Sequence, residues 1–478
     1  MRKLIPTVFL FLLLLVSPTF ASKHMDFTVH KMDSNRPGNT LLVIGGIQGD
    51  EPGGFNAAAL LATEYKIKKG SVWVVPNLNF ISIIKSSRGV HGDLNRKFAK
   101  IGRSDPEFDT ISKVKQIILD NQVDLVLNLH DGSGFYRPTY VDRIRNPQRW
   151  GQSIIIDQDK IEAVPFGELY GIANQVTGVV NRHLFSEEHE YRVKNTWTKL
   201  GDTEMAKTLT YYAVKNLKPA FGVEVSKSFP THKRAYYHLK VLEAYMDLLG
   251  IEYERSFNLS ANGVKGAIYN NVNLAFYDNR IFLDVTDARK RLGYIPLRKS
   301  AEIVYKSSNP LIALVESDGG YRVFHGNRRI TRIYPQYFEY DFSTAGITVE
   351  VDGEEREAAF GDMLGVQESF MIMPKKGYRV NVIGFKKTGM SDESGVMIGQ
   401  EDILKQFSLD KSGNIFRVEV YKDDKFSGMV LVNFSDPNEN LMASEPSNVS
   451  VLGISAEEKA SLAIDSPPRA RENSHLGR

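Results

Sequence analysis

Three side chains have the types and spacing to hold a metal ion. Gln48 and Glu51 stand three residues apart in Ile44-Gly45-Gly46-Ile47-Gln48-Gly49-Asp50-Glu51-Pro52-Gly53-Gly54, and His130 follows the apolar run Val123 to Leu129. A glycine-rich turn after a buried strand presents ligands at the strand's carboxyl end, where α/β proteins place their sites. The Asp131-Gly132 pair after His130 reads as a turn that exposes its ring. A catalytic metal needs three protein ligands and one open position. Two neutral ligands and one carboxylate leave a zinc ion with a single positive charge, as the common set of two histidines and a glutamate does. Water activation should therefore survive, while the poorer amide ligand should weaken affinity. The same residues also suit a plainer reading, with Gln48 capping the following helix and His130 a satisfied strand-end polar group. The other histidines offer no better centre: none of the ten is followed three residues later by Glu, and no His-Glu-x-x-His occurs.

Two further groups could act on a substrate. Arg88, Asn95 and Arg96 lie in Ser87-Arg88-Gly89-Val90-His91-Gly92-Asp93-Leu94-Asn95-Arg96. Guanidinium forks match the two oxygens of a carboxylate, although an exposed basic loop would have the same composition. Glu224 is a carboxylate inside the apolar strand Phe221-Gly222-Val223-Glu224-Val225-Ser226. It suits acid–base chemistry if buried beside a metal, and an edge strand facing water otherwise.

These residues need a frame of alternating strands and helices. Leu41 to Ile44, Ser71 to Val75, Val123 to Leu129 and Ala220 to Val225 read as strands. Pro52 to Lys66, Asp105 to Asn121, Phe166 to Leu184, Met205 to Leu217 and Thr231 to Leu249 read as helices. That order predicts an α/β domain over 22–250 with a mixed, mostly parallel sheet flanked by helices. After residue 250 the texture changes to short β segments, among them Arg280 to Val285, Ala301 to Tyr305, Gly346 to Val351 and Val418 to Tyr421. Two small β domains are expected, over 251–342 and 343–436. Residues 437–478 lack aromatics and are rich in Ser, Glu, Pro and Ala, the composition of a disordered tail with a short helix near Ala456 to Leu462.

In order along the chain, Gln48-x-x-Glu51, Arg88, Asn95-Arg96, His130 and Glu224 resemble the signature of the M14 zinc carboxypeptidase superfamily, including its aspartoacylase-like branch. The family has histidine where Gln48 stands. That departure resembles the cell-shape-determining peptidoglycan DL-carboxypeptidases of helical Gram-negative bacteria, which use a Gln-Glu-His zinc site. The resemblance covers roughly residues 25–434. It implies one zinc ion on Gln48, Glu51 and His130, and a general base at Glu224. It further implies a carboxylate clamp of Asn95 and Arg96, with Arg88 polarising the scissile carbonyl. Trp150 and Thr210 are then expected to line the pocket for a diaminopimelate side chain, and Asp131 to orient His130. The implied architecture is a zinc-carboxypeptidase-like domain, then a barrel-like and an immunoglobulin-like β domain. The implied reaction is hydrolysis, by zinc-activated water, of the bond between γ-D-Glu and meso-diaminopimelate in uncrosslinked peptidoglycan tripeptides, with an influence on cell shape.

The remaining features bound the setting. Arg2 and Lys3, the nine-residue apolar run Val8 to Val16 and the triplet Thr19-Phe20-Ala21 read as a signal peptide over 1–21, too short for the roughly 20 residues of a membrane span. Export to the periplasm without stable membrane insertion is therefore expected. The absence of cysteine excludes disulfides and thiolate metal sites. A net charge of +3 over 478 residues gives no support for nucleic-acid binding. The β domains could contact other cell-wall proteins. Two other readings fit the same motifs: an aspartoacylase-like zinc amidase acting on small acylated amino acids, and an inactive peptidoglycan-binding scaffold.

Overall fold

A computed structural model describes residues 26–299, 303–387 and 389–435. The expected signal peptide, the tail over 437–478 and the first residues of the expected strand Ala301 to Tyr305 lie outside them. Of its described residues, Ile303 and Val304 are outside any strand, and Tyr305 opens the strand Tyr305–Ser307.

The apolar runs become the middle of one seven-stranded sheet. Its order is His30–Asp33, Ser71–Val75, Thr40–Ile44, Leu125–Gly132, Ala220–Ser226, Ser153–Ile156 and Arg192–Asn195. Only the His30–Asp33 pairing with Ser71–Val75 and the Ser153–Ile156 pairing with Ala220–Ser226 are antiparallel. The central strands are buried throughout, as expected where both faces of a parallel sheet are covered. The helix Pro52–Glu64 starts on a proline whose missing N–H costs nothing in a first turn. It packs on the long helix Thr231–Leu248, which also meets Leu169–Val180. The topology thus brings the ends of three parallel strands side by side: Thr40–Ile44 leads into Gln48 and Glu51, Leu125–Gly132 carries His130, and Ala220–Ser226 carries Glu224.

Several expected boundaries move. The first helix stops at Glu64 because Tyr65–Lys69 turns into a strand pairing with Glu252–Arg255. The expected helices Asp105 to Asn121 and Phe166 to Leu184 contract to Phe108–Ile118 and Leu169–Val180, and Met205 to Leu217 breaks into a short turn of helix and Leu209–Lys215. The first core also runs past residue 250, since Val264 and Ile268 of the helix Ala261–Tyr269 are buried in it. The Ser260-Ala261-Asn262-Gly263 stretch has turn composition. It is helical because the Ser260 side chain accepts the Gly263 N–H and the apolar pair at i, i+4 has a core to enter.

The rest of the chain is β-rich. Residues 273–338 form a three-stranded and a four-stranded sheet, and residues 346–433 form two four-stranded sheets around one core. The cores do not divide at residue 342: Leu409, Tyr421, Phe426, Met429 and Leu431 pack with Phe276, Ile295 and Ile333. A fourth cluster joins the α/β region to the β region through Phe55, Phe80 and Ile83 against Leu311 and Ala313. Among the described residues no helix is long and apolar enough to cross a membrane.

Phe55 is fully buried in that junction. Phe55→Ala is expected to cost about 3–5 kcal/mol, read as a lower urea midpoint with the denaturant slope unchanged.

Candidate metal and active site

All nine expected site residues line one cavity of about 280 Å³. At its floor Gln48, Glu51 and His130 are 2%, 4% and 6% exposed. His130 Nδ1 lies 2.9 Å from Glu51 Oε2 and 3.2 Å from Gln48 Oε1. Donors bound at roughly 2 Å to one tetrahedral ion sit about 3–3.5 Å from each other, so the three atoms have the spacing of a ligand set. Among the described residues no three His, Cys, Asp or Glu side chains cluster in this way. An amide oxygen is therefore needed to complete the set, and Gln48 supplies it.

Gln48 does not cap the following helix. Its Nε2 donates to Asp93 Oδ1 at 2.8 Å, which turns the amide so that oxygen faces Glu51 and His130. Glu51 precedes the helix without a side-chain capping bond. The capping position is filled from elsewhere, since the Gly53 N–H donates to Asp131 Oδ2 at 2.8 Å.

The Leu125–Gly132 strand does not end at Leu129, so no turn exposes the His130 ring. Asp131 does not orient that ring either. Its carboxylate also meets Arg234 Nη1 and His238 Nε2, both at 3.1 Å, and these partners hold its pKa below the usual range despite burial. His130 Nε2 faces Asn95 Nδ2 at 3.4 Å and, nearer, Asn128 Nδ2 at 2.8 Å, and the buried Oδ1 of Asn128 has no hydrogen-bond partner. When Nδ1 binds an ion the ring proton sits on Nε2 and needs an acceptor. Turning the Asn128 amide over provides one and satisfies the orphaned oxygen. Burial alone would depress the His130 pKa, but the hydrogen bond and charge of Glu51 raise it, so protons and metal compete for Nδ1.

Glu224 sits beside His130 through the register of the parallel pair, in which the two residues are partners. Its side chain opens partly onto the cavity, yet Oε2 is buried without a hydrogen bond. Burial pushes its pKa up to about 7; Glu51 and Asp131 add to the rise, while His130 and Lys227 oppose it. Gly132 makes the fit possible: a Cβ there would lie 2.6 Å from Glu224 Oε2 and 2.7 Å from the Gly151 nitrogen.

Positive charge rings the opening. Arg88 Nε donates to Asp93 Oδ2 at 3.0 Å and its Nη1 is 3.7 Å from Glu51 Oε1. Arg96 Nη1 donates to the Asn95 carbonyl at 3.1 Å, and Asn95 Oδ1 accepts the Leu209 N–H at 3.0 Å. Thr210 is buried beside Thr208, and the Trp150 ring is covered by the Lys194 ammonium at 3.9 Å. Sequence reasoning passed over three residues of this site. Asp93 stands two residues before Asn95, and Lys227 three after Glu224, so both spacings were visible. Lys227 Nζ reaches Asp50 Oδ2 at 3.3 Å and Glu51 Oε1 at 3.4 Å. Asn128 carried no local signal.

Residues 7–270 match the family described as carboxypeptidase controlling helical cell shape, catalytic, and residues 340–435 match the C-terminal domain of metallo-carboxypeptidase. Among solved structures, apo cell shape determinant protein Csd4 of Helicobacter pylori is similar at 38% identity and TM-score 0.77, covering 85% of this chain and 100% of that one. Its mDAP-bound form, described as a D,L-carboxypeptidase, gives 38% and 0.78 over 84% and 99%. The tripeptide-bound form gives 38% and 0.77 over 85% and 100%. No curated protein matches.

Removing the Asp93 carboxylate frees the Gln48 amide to rotate. Asp93→Ala is expected to weaken metal binding by about 10–100-fold, measured by competition with a chelating indicator, with the thermal midpoint of the metal-free protein little changed.

Proposed function

Since this chain belongs to the family of carboxypeptidases controlling helical cell shape, we propose that it is a zinc-dependent D,L-carboxypeptidase of the periplasm. In this reading it cuts the bond between γ-D-Glu and meso-diaminopimelate in uncrosslinked peptidoglycan tripeptides and so influences cell shape. The observation that carries the reading is the pairing with His130 of Glu224, whose Oε2 is buried without a hydrogen bond, in one cavity ringed by Arg88, Arg96 and Lys227.

Gln48, Glu51 and His130 would hold the zinc, which when bound supplies a Lewis acid for water and for the scissile carbonyl. Glu224 accepts a proton from the attacking water and returns it to the leaving amine, a role for which a carboxylate near neutral pKa is suited. Asn95 and Arg96 bind the terminal carboxylate, with two oxygens for the guanidinium fork. Arg88 is half exposed, tethered only at its Nε and one end, and free to meet the oxyanion. Trp150 and Thr210 form a wall for the diaminopimelate side chain. Export, expected from the N-terminal pattern, belongs to the same reading because the polymer lies outside the cytoplasm. The two β regions are read as barrel-like and immunoglobulin-like.

Purified protein incubated with tripeptide muropeptides should release diaminopimelate, detected by mass spectrometry. Turnover of N-acyl amino acids without that release would favour an amidase, and no turnover of either would favour a scaffold.

Glu224 works as a base only when ionised, so kcat/KM should fall as pH drops through its pKa, and a bound cation should move that limb below about 7. Glu224→Gln should remove the limb and lower kcat by about 10²–10⁴-fold, while the metal content stays unchanged.

A further inference from the structure

A second cavity, of about 400 Å³, lies between the sheet holding Leu292–Arg298 and Arg328–Phe338 and the sheet holding Arg379–Val382 and Ile415–Lys422. Junctions between units are common places for small-ligand sites, and the volume falls in the range of about 300–1,000 Å³ such sites occupy. It is remote in sequence from the metal site and shares no lining residue with it.

Its walls combine ring faces with flat polar groups. Phe338 and Tyr421 pack at 5.4 Å, and the Arg379 guanidinium lies over the Tyr421 ring at 4.2 Å while donating to Asn381 Oδ1 at 2.9 Å. At the edge, Tyr294 is 71% exposed and has a left-handed φ of 57°, a costly conformation for an aromatic residue. Arg417 holds it there by donating to the carbonyls of Gly293 and Tyr294 at 3.1 and 3.0 Å. Strain is thus maintained to present a tyrosine ring to solvent beside the cavity.

The lining also contains a buried acid. Glu419 is 3% exposed, and its Oε2 accepts the Tyr421 hydroxyl at 2.7 Å. Oε1 lies 3.1 Å from Arg417 Nη1 but makes no hydrogen bond. Paired with Arg417 but without a hydrogen bond, this oxygen retains acceptor capacity. The ligand's charge follows from these groups. An anion would meet Glu419, a cation would meet Arg379, and a purely apolar molecule would leave the Oε1 acceptor unused. A neutral molecule with an apolar face and a rim of hydroxyl and amide groups suits every wall. We propose that this cavity binds a saccharide, with a sugar ring stacked on Tyr294 and a hydroxyl donated to Glu419. That the natural saccharide is the glycan strand carrying the peptide substrate rests on the proposed function; sugar binding itself does not.

The probe is the trimer of N-acetylglucosamine, titrated into the full chain and followed by saturation-transfer NMR and calorimetry. Binding is expected, weakened about tenfold or more by Tyr294→Ala and by Arg379→Ala, with thermal midpoints confirming that the variants are folded. Neither variant should change kcat/KM on a free tripeptide, whereas cleavage of peptides attached to glycan chains should slow. No binding of the trimer, or binding that survives both substitutions, would overturn the proposal. Trimer binding without tripeptide cleavage would leave the sugar site standing and remove the peptidase reading.

Discussion

The parallel pairing of Leu125–Gly132 with Ala220–Ser226 is the constraint on which the site depends. Its register sets His130 beside Glu224 and Gly132 beside Ser226. Side chains alternate along a strand, so a slip of one residue would send either the ligand or the base to the opposite face. The register is held by burial, since Leu125–Gly132 is buried throughout and Ala220–Ser226 at every residue but Glu224. The glycine that lets the Glu224 carboxylate pass is two residues beyond His130, on the same face. Asp131, between them, points the other way and fastens the strand to Gly53, Arg234 and His238. One strand end thereby supplies a ligand, an anchor and a gap in successive positions.

Gln48 imposes a different demand. An imidazole presents nitrogen to a metal from either of two positions, whereas an amide must present its oxygen and turn its NH₂ away. Asp93 enforces that choice, because a carboxylate accepts hydrogen bonds and cannot donate them. The same carboxylate accepts from Arg88 Nε and from the Asn95 backbone N–H. The segment that would grip substrate and the ligand that would grip metal are therefore positioned by one group, and a shift in either would be felt by the other.

Much of this was legible in the sequence, for reasons that also mark the limit. Leu41 to Ile44 is a continuous apolar run and Ala220 to Val225 is one interrupted only by Glu224, and their strands fall where the pattern places them. Candidate side chains next to those runs could be named because strand ends and glycine turns are local features. The partners that orient them were not, because they come from distant segments: Asp93 is 45 residues from Gln48, and His238 is 107 from Asp131. Asp131 looked like a partner for its neighbour His130, but adjacent residues in a strand face opposite sides, and the strand proved longer than its apolar run. The helix Ala261–Tyr269 is hidden for a related reason: its first residues have the composition of a turn, and the Ser260 cap and the core it enters make it helical.

The β region bears on the site through packing. Gly49, next to Gln48, lies so close to the Phe80–Ile84 helix that a Cβ would fall 2.0 Å from the Ser82 carbonyl carbon and 2.3 Å from the Ile83 nitrogen. Ile83 is itself buried against Leu311 and Ala313 of the β region, and Asn77 Nδ2 donates to the Pro310 carbonyl at 3.2 Å. The loop that carries the amide ligand is therefore backed by a helix, and the helix by a sheet edge from the next part of the chain. Close-packed interiors transmit displacement because they have few voids to absorb it. A ligand as orientation-dependent as an amide gains most from such backing, which gives the β region a structural role at the metal site whatever else it binds.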